Sequence, residues 1–444
     1  MNSRVVARSA ILSLILTCAT IMATDTDKCF GAGDVPIDGH NLTGNWTESK
    51  LEFTLAMFHS LYAGENLFFS PHSIHQALVV ALMGARGKTE AQLRSLLNLE
   101  NVPKVSLLQH LRADGMHRDS ICPSSPGVEL RVANKIFVDK SEPLQACVLT
   151  HLGPEVEQLD LVNDTEGSRA IMNKWVEEIT HNKIYSLVPP LPPNSRLAIV
   201  NGAYFRGVWE HQFKKSKTKL GLFYSSPTEV VPTYMMHTKG YYHHGASPEL
   251  GAYVLELPYE GDSMSLVLLL PPFSPGAITR TVTALGRGGL KRAMEELAGT
   301  SLEVVLPRFS LSHTLPLTQA LTDLGLTSLF NRSGAELGDF STKPEGLFVE
   351  EAIHKAFLEV NEEGASAGGG TALIGTRSGR PLDQSRFVAN HPFIMGVWDK
   401  CRETMLFMGV LHRPQTKGQG GEGSEENATT TTTTEQVNVN EKKV

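Results

Sequence analysis

Two strand-like segments, Phe357–Val360 and Phe387–Ala389, bracket a connection whose first half has almost no bulky side chains. The connection runs from Asn361 to about Arg386. Inside a compact domain, a loop longer than about 15 residues is functional or disordered. Any fold for this chain must therefore display a long, ordered-at-both-ends loop. Glu362 and Glu363 lead into the small-residue run Gly364–Gly370, followed by the apolar patch Ala372–Ile374 and then by Arg377 and Arg380. Side chains alternate between faces in a strand. If residues 364–374 entered a sheet, Ala365, Ala367, Gly369, Thr371 and Leu373 would share one face, and Ser366, Gly368, Gly370, Ala372 and Ile374 the other. Neither face carries a charge. The segment is insertion-competent, and its lone Arg377 before Ser378 is what a trypsin-like protease accepts in an exposed segment. The loop reads as bait, against the plainer reading of a flexible linker.

At 444 residues, 41% hydrophobic and 20% charged, with net charge −7, the composition is that of an ordinary globular protein. The acidic balance gives no reason to expect nucleic acid. Arg4 and Arg8 precede the apolar run Ala10–Ala23, which fits a signal peptide over residues 1–23. That run is too short for a bilayer span of roughly 20 residues, and no later stretch is a membrane candidate. Cleavage leaves Cys29, Cys122, Cys147 and Cys401, without any CxxC pair. This set allows two disulfides in three connectivities, or free thiols in a large core. Sequons begin at Asn41, Asn45, Asn163, Asn331 and Asn427, and they support secretion to the extracellular space.

Residues 24–45 read as a flexible lead. Helices are predicted over Trp46–Tyr62, Ile74–Met83 with Pro71 in the first turn, Thr89–Leu97, Val105–Arg118, Asp164–Ile184 and Leu317–Phe330. In Asp164–Ile184, the inward stripe is predicted as Ile171, Trp175, Ile179 and Ile184. Strands are predicted at 66–70, 128–138, 197–205, 254–257, 265–270, 303–306, 310–311, 348–360, 393–397 and 405–411. Long, non-alternating apolar strands mixed with helices argue an α/β or α+β domain whose strands are buried on both faces. No linker interrupts residues 46–414, which read as one domain and a monomer. Residues 415–444, with Thr429–Thr434, read as a disordered tail, a candidate for O-glycosylation. Its end matches no retention signal.

Enzyme readings fail on context. Gly364-Ala365-Ser366-Ala367-Gly368 matches GxSxG, but a nucleophile elbow needs an immediate helix, and Gly369–Gly370 is a poor helix start. Of the 16 histidines, His237, His243 and His244 cluster without companions at metal-ligand spacing, so no metal or other cofactor is called for. His354, inside an apolar strand, reads as a hydrogen-bonded core group. Lys214, Lys215, Lys217 and Lys219 read as a solvated face, with a sulfated polysaccharide site as the sharper reading. No phosphate-cradling loop is present.

Several segments occur in a family order: Phe69–Ile74, Met83–Thr89, Asn201–Trp209, Leu306–Phe309, Glu359–Gly364, Phe387–Phe393 and Leu406–Gly409. On these the chain resembles the serpin superfamily over nearly all of residues 46–414. The resemblance implies an α+β fold of three sheets surrounded by eight or nine helices, with the loop projecting from one pole. It also implies a suicide mechanism. A protease attacks the loop, the hinge inserts as a new central strand, and the acyl-enzyme is trapped. The chemistry belongs to the partner's serine, so the chain is not an enzyme and has no catalytic residues of its own. Ser70, Ser73, Asn201 and His354 match the polar cluster beneath the parting strands, and Trp209 matches the aromatic where insertion begins.

Counting the usual hinge length from Glu362 places the scissile residue at Ser378, giving a Ser378–Gly379 bond. Arg377–Ser378 is favoured because arginine suits an Asp-bearing pocket; Arg380 precedes Pro381. The hinge spans Glu362, Glu363, Gly364, Ala365, Ser366, Ala367, Gly368, Gly369, Gly370 and Thr371. It departs from the family at Ala365, where Thr or Ser is usual, and at Gly368–Gly370, where alanines are usual. Three strand glycines weaken insertion by roughly 1.5–3 kcal/mol in total. Two functions follow: an inhibitor of an extracellular trypsin-like serine protease, covalently complexed, or a non-inhibitory carrier or chaperone.

Overall fold

The computed structural model describes residues 42–116, 127–286, 288–364 and 385–414. The expected signal segment, Asn41, Asn427, Cys29, Cys122, hinge positions Ala365–Thr371, the bait residues Arg377, Ser378 and Gly379, and the threonine tail lie outside them.

Five strands form one sheet in the order Phe309–Pro316, Glu351–Val360, Leu197–Gly207, Val128–Asp139, Val156–Leu159. Its centre is a parallel pair: Glu351–Val360 runs alongside Leu197–Gly207, with His354 opposite Asn201 and Leu358 opposite Phe205. Strand Leu197–Gly207 is buried everywhere except Arg206, as a central strand covered on both faces must be. The remaining strands form a nine-stranded assembly. In it the 19-residue strand Glu229–Ser247 joins two halves by pairing with Lys219–Ser226, Ala252–Pro258 and Ala298–Pro307. The expected second and third sheets are thus hydrogen-bonded to each other through one long strand. With nine helices among the described residues, the architecture is the α+β arrangement expected.

Behind the parallel pair lies helix Pro71–Gly84. Ser70 caps it by accepting the Ser73 amide on its side chain, and Pro71 occupies the first turn. All of its residues except Gln76 are buried, the pattern of a helix that is core on every side. Phe68, Phe205, Leu358 and Phe407 pack between the two sheets, with Phe68 and Phe407 stacked at 5.4 Å.

Several boundaries differ from the sequence reading. The first helix begins at Leu42, inside the expected lead. The helix expected over Asp164–Ile184 ends at Ile179, and its inward residues are Met172 and Val176, with Trp175 and Ile179 half-buried and Ile171 exposed. The difference is a rotation of the apolar stripe by one residue: the sheet beneath selects Met172 and Val176. Only Leu317–Asp323 is helical in the predicted 317–330 segment, because Gly325 takes φ +99° and the chain turns. The hairpin Lys219–Ser226/Glu229–Ser247 carried no clear strand signal, its exposed Leu220, Leu222, Pro232 and Tyr234 masking the alternation.

Candidate functional site

The parallel register decides where the loop starts. Because Glu351–Val360 and Leu197–Gly207 run in the same direction, both end at the same edge, and residues 361–364 land against Gly207–Phe213. They are fastened there rather than extended. Trp209 donates its indole N–H to the Asn361 carbonyl at 2.9 Å. The Phe213 amide donates to the Glu362 carbonyl at 2.9 Å and the Trp209 amide to the Glu363 carbonyl at 3.4 Å. Trp209 itself stacks on buried Tyr259, centroids 4.6 Å apart. Desolvation drives the Tyr259 phenol far above its ordinary range, so it stays neutral.

Gly364 has φ +76°, and a Cβ there would lie 2.3 Å from the Gly207 carbonyl oxygen and 2.4 Å from the Trp209 nitrogen. Only glycine fits this turn. The two glutamates are held from different sides. Glu362 is buried and faces Arg308 at 3.6 Å. Glu363 pairs with Lys215, whose ammonium is held above its ordinary range by that carboxylate. Lys215 belongs to the run read as a solvated face; its exposed neighbours fit that reading, but its own partner is the hinge.

Beneath the strands lies a polar network. His354 is fully buried, and its Nε2 accepts the Ser70 amide N–H at 2.9 Å. Nε2 is therefore unprotonated, and Nδ1 carries the proton toward Asn201 Oδ1. Burial pulls the imidazole pKa down to about 3. Asn201 Nδ2 donates to Ser73 Oγ at 2.7 Å and to Asn134 Oδ1, and Ser73 Oγ donates to Asn134 Oδ1 at 2.9 Å. Ser70 Oγ donates to the Leu406 carbonyl at 2.7 Å, tying in the other sheet. Ser70, Ser73, Asn201 and His354 are thus joined in one hydrogen-bonded cluster, and Trp209 lies just beyond the end of strand Leu197–Gly207.

Sequence reasoning missed Asn134. It lies opposite Asn201 in the antiparallel pair with Val128–Asp139; an asparagine inside an apolar strand was the available signal. It also missed Arg308, Lys215 and Lys355. Lys355 Nζ donates to the Tyr185 carbonyl at 3.1 Å, tying strand Glu351–Val360 to the segment after helix Thr165–Ile179. Its ammonium is pushed below its ordinary range by desolvation.

At the far end of the loop, Arg386–Val388 pairs in parallel with Glu303–Val305, and Arg386 Nε sits 3.0 Å from Glu303 Oε2. Phe387 and Ala389 are buried, and His391 Nε2 hydrogen-bonds the Pro271 carbonyl at 2.8 Å. The histidines of the surface cluster have separate neighbours: His237 faces Glu303 at 3.8 Å, His243 faces Glu256 at 3.8 Å, and His244 bonds Thr300 at 2.6 Å. Asn163 and Asn331 are exposed, and Asn45 falls within the first helix. Cys147 and Cys401 are disulfide-bonded.

Beside the parallel pair, residues 361–364 are thus bonded to Trp209 and Phe213, and one polar network joins Ser70, Ser73, Asn134, Asn201 and His354. The family model for Serpin (serine protease inhibitor) matches residues 48–414. "Serine protease inhibitor 88Ea" of Drosophila melanogaster is 31% identical over 370 residues, covering 79% of this chain and 86% of that protein. "Antithrombin-III" of Homo sapiens is 32% identical over 363 residues, covering 80% and 77%. Uncleaved ovalbumin superposes with TM-score 0.73 at 23% identity, covering 84% of this chain and all of that one. The chain belongs to the serpin family of serine protease inhibitors.

Proposed function

We propose that the protein is a secreted suicide-substrate inhibitor of a trypsin-like serine protease, cut at Arg377–Ser378. The observation that carries this reading is the parallel pair Glu351–Val360/Leu197–Gly207 at the centre of a five-stranded sheet. A loop that turns back after Gly364 enters antiparallel to both strands. It exchanges one parallel ladder for two antiparallel ones, which are slightly more stable per residue. Insertion is thus downhill, and the closed state is held by the network around His354 and by the fastening at Asn361–Gly364. Small, uncharged residues from Gly364 to Gly370 allow entry into a core. The arginine at position 377 supplies the specificity handle, and the partner's serine performs the acylation. The chain contributes no catalytic group. Two disulfide-bonded cysteines, the leading Arg4/Arg8–Ala23 segment and exposed sequons at Asn163 and Asn331 support an extracellular location.

A second reading is a non-inhibitory carrier or chaperone, favoured by Gly368–Gly370 in the hinge. Incubation with trypsin-like proteases followed by denaturing electrophoresis separates the two. A stable covalent complex supports inhibition; complete cleavage without complex supports the carrier. Sequencing the released C-terminal peptide assigns the bond: Ser378 at its start supports Arg377–Ser378, and Gly379 the alternative bond.

A further inference from the structure

We propose that the C-terminal segment Thr429–Asn440 docks on this chain's own hairpin Lys219–Ser226/Glu229–Ser247, adding as a strand along the edge of Lys219–Ser226 and covering Leu220 and Leu222. The hairpin is apolar on both faces. Phe223, Val231 and Met235 are buried toward the core. On the outer face the cross-strand pairs Leu220–Tyr234, Leu222–Pro232 and Tyr224–Val230 lie side by side, and Leu220, Leu222 and Tyr234 are each at least half exposed. A contiguous exposed apolar patch marks an interaction surface, as scattered apolar residues do not. The edge beside it is open. Among the described residues Lys219–Ser226 pairs with one strand, Glu229–Ser247. Tyr224 turns its amide outward, to the Asn390 carbonyl at 2.8 Å. Backbone groups alternate in direction along a strand, so Leu220 and Leu222 also turn theirs outward. Pro232, which has no N–H to give, sits opposite Leu222 accordingly. Among the described residues no acceptor meets the Leu220 or Leu222 amide. Such an edge is a template for a further strand.

Where the described chain ends selects the occupant. Phe393 lies opposite Leu411, and continuing that antiparallel register sets Pro414 beside Asn390, whose carbonyl holds Tyr224. Arg413 Nη1 is 3.1 Å from Glu229 Oε1, and Glu229 is opposite Ser226 at the hairpin tip. Residues 415–444 therefore leave the domain next to the open edge. Four strand residues separate Tyr224 from Leu220, about 13 Å, and a Gly-rich connection the length of residues 415–428 spans about 20 Å. Thr429–Asn440 reaches the edge without strain. It holds Thr429–Thr434, Val437 and Val439, β-branched residues that suit a strand, with Glu435 as its one charge and no proline. Val437 and Val439 fall on one face at the two-residue spacing of Leu220 and Leu222. Tethering supplies this segment at an effective concentration of about millimolar, which favours it over a second copy in dilute solution. The docked strand closes the edge against pairing with another chain. This inference needs neither cleavage nor insertion of the loop, so it stands apart from the inhibitory reading.

The test uses the full chain and reads hydrogen exchange at single amides of Lys219–Tyr224. In wild type the outward Leu220 and Leu222 amides are expected to be protected, to the same degree at low and high protein concentration. Val437→Asp/Val439→Asp, which alters no described residue, is expected to speed their exchange at least about tenfold and to leave the inward Phe223 amide unchanged. Val437→Ile/Val439→Ile is expected to keep the wild-type protection. A photoreactive benzoylphenylalanine in place of Val439, in a mixture of isotope-labelled and unlabelled chains, is expected to cross-link to Lys219–Tyr234 within one chain. Rapid exchange at Leu220 and Leu222 in wild type, or equal protection in the aspartate variant, overturns the proposal. So does protection that grows with concentration, or a cross-link between labelled and unlabelled chains, either of which assigns the edge to a second copy.

Discussion

His354 Nε2 accepts the Ser70 amide N–H at 2.9 Å, so the strand leading into the loop is bonded to the N-cap of the central helix. The bond is fully buried, so no water replaces it when it breaks. The imidazole must also stay neutral.

That neutrality gives a pH dependence. The folded-state pKa of about 3 lies below the ordinary 6.5. Between those values the unfolded chain binds the proton and the folded one does not. Stability therefore rises with pH in that window and is lost as pH falls below 6.5. At about 1.36 kcal/mol per unit, the loss from this residue is on the order of 2 kcal/mol at pH 5. Urea unfolding midpoints at pH 7 and pH 5 are expected to differ more in wild type than in His354→Asn; equal differences would remove His354 as the cause.

Asn134→Ala removes the shared acceptor of Ser73 and Asn201. An unsatisfied buried donor costs about 1–3 kcal/mol. Under the proposed insertion mechanism, the expected result is faster heat-driven polymerisation on native gels. An unaltered polymerisation rate would mean that Asn134 merely fills space.

Gly364→Ala places a Cβ against the Gly207 carbonyl and forces φ +76° on a residue with a side chain. Such backbone strain is about 1–3 kcal/mol. The turn is expected to detach, exposing Trp209 and red-shifting its emission. A wild-type spectrum would show that the turn accommodates alanine.

Replacing Gly368, Gly369 and Gly370 with alanine favours the strand conformation by about 0.5–1 kcal/mol each. The stoichiometry of inhibition, the moles of protein consumed per mole of protease trapped, is expected to fall toward one. No change would indicate that insertion is not limited by these glycines.

The strand end after the loop, with Phe387, Ala389 and Phe393 buried, was legible because its chemistry is local, whereas Ala365–Gly370 and Arg377 lie outside the described residues. Helix Pro71–Gly84 was legible from its Ser-Pro start and continuous apolar run. The stripe of helix Thr165–Ile179 was not, since Ile171 and Met172 are equally apolar and only the sheet beneath distinguishes them.

By itself, then, the sequence determined the α+β class, while hinge, bait and anchor stay a proposal carried by residues contiguous in the chain. Only the tertiary structure decided which distant residues meet. Asn134 and Asn201 meet Ser73, Lys215 meets Glu363, and Arg308 meets Glu362 across separations that no spacing rule encodes. Those partnerships follow from strand register. Pairing Glu351–Val360 in parallel with Leu197–Gly207 fixes which side chains lie opposite one another, and a shift of one residue would turn His354 away from Asn201.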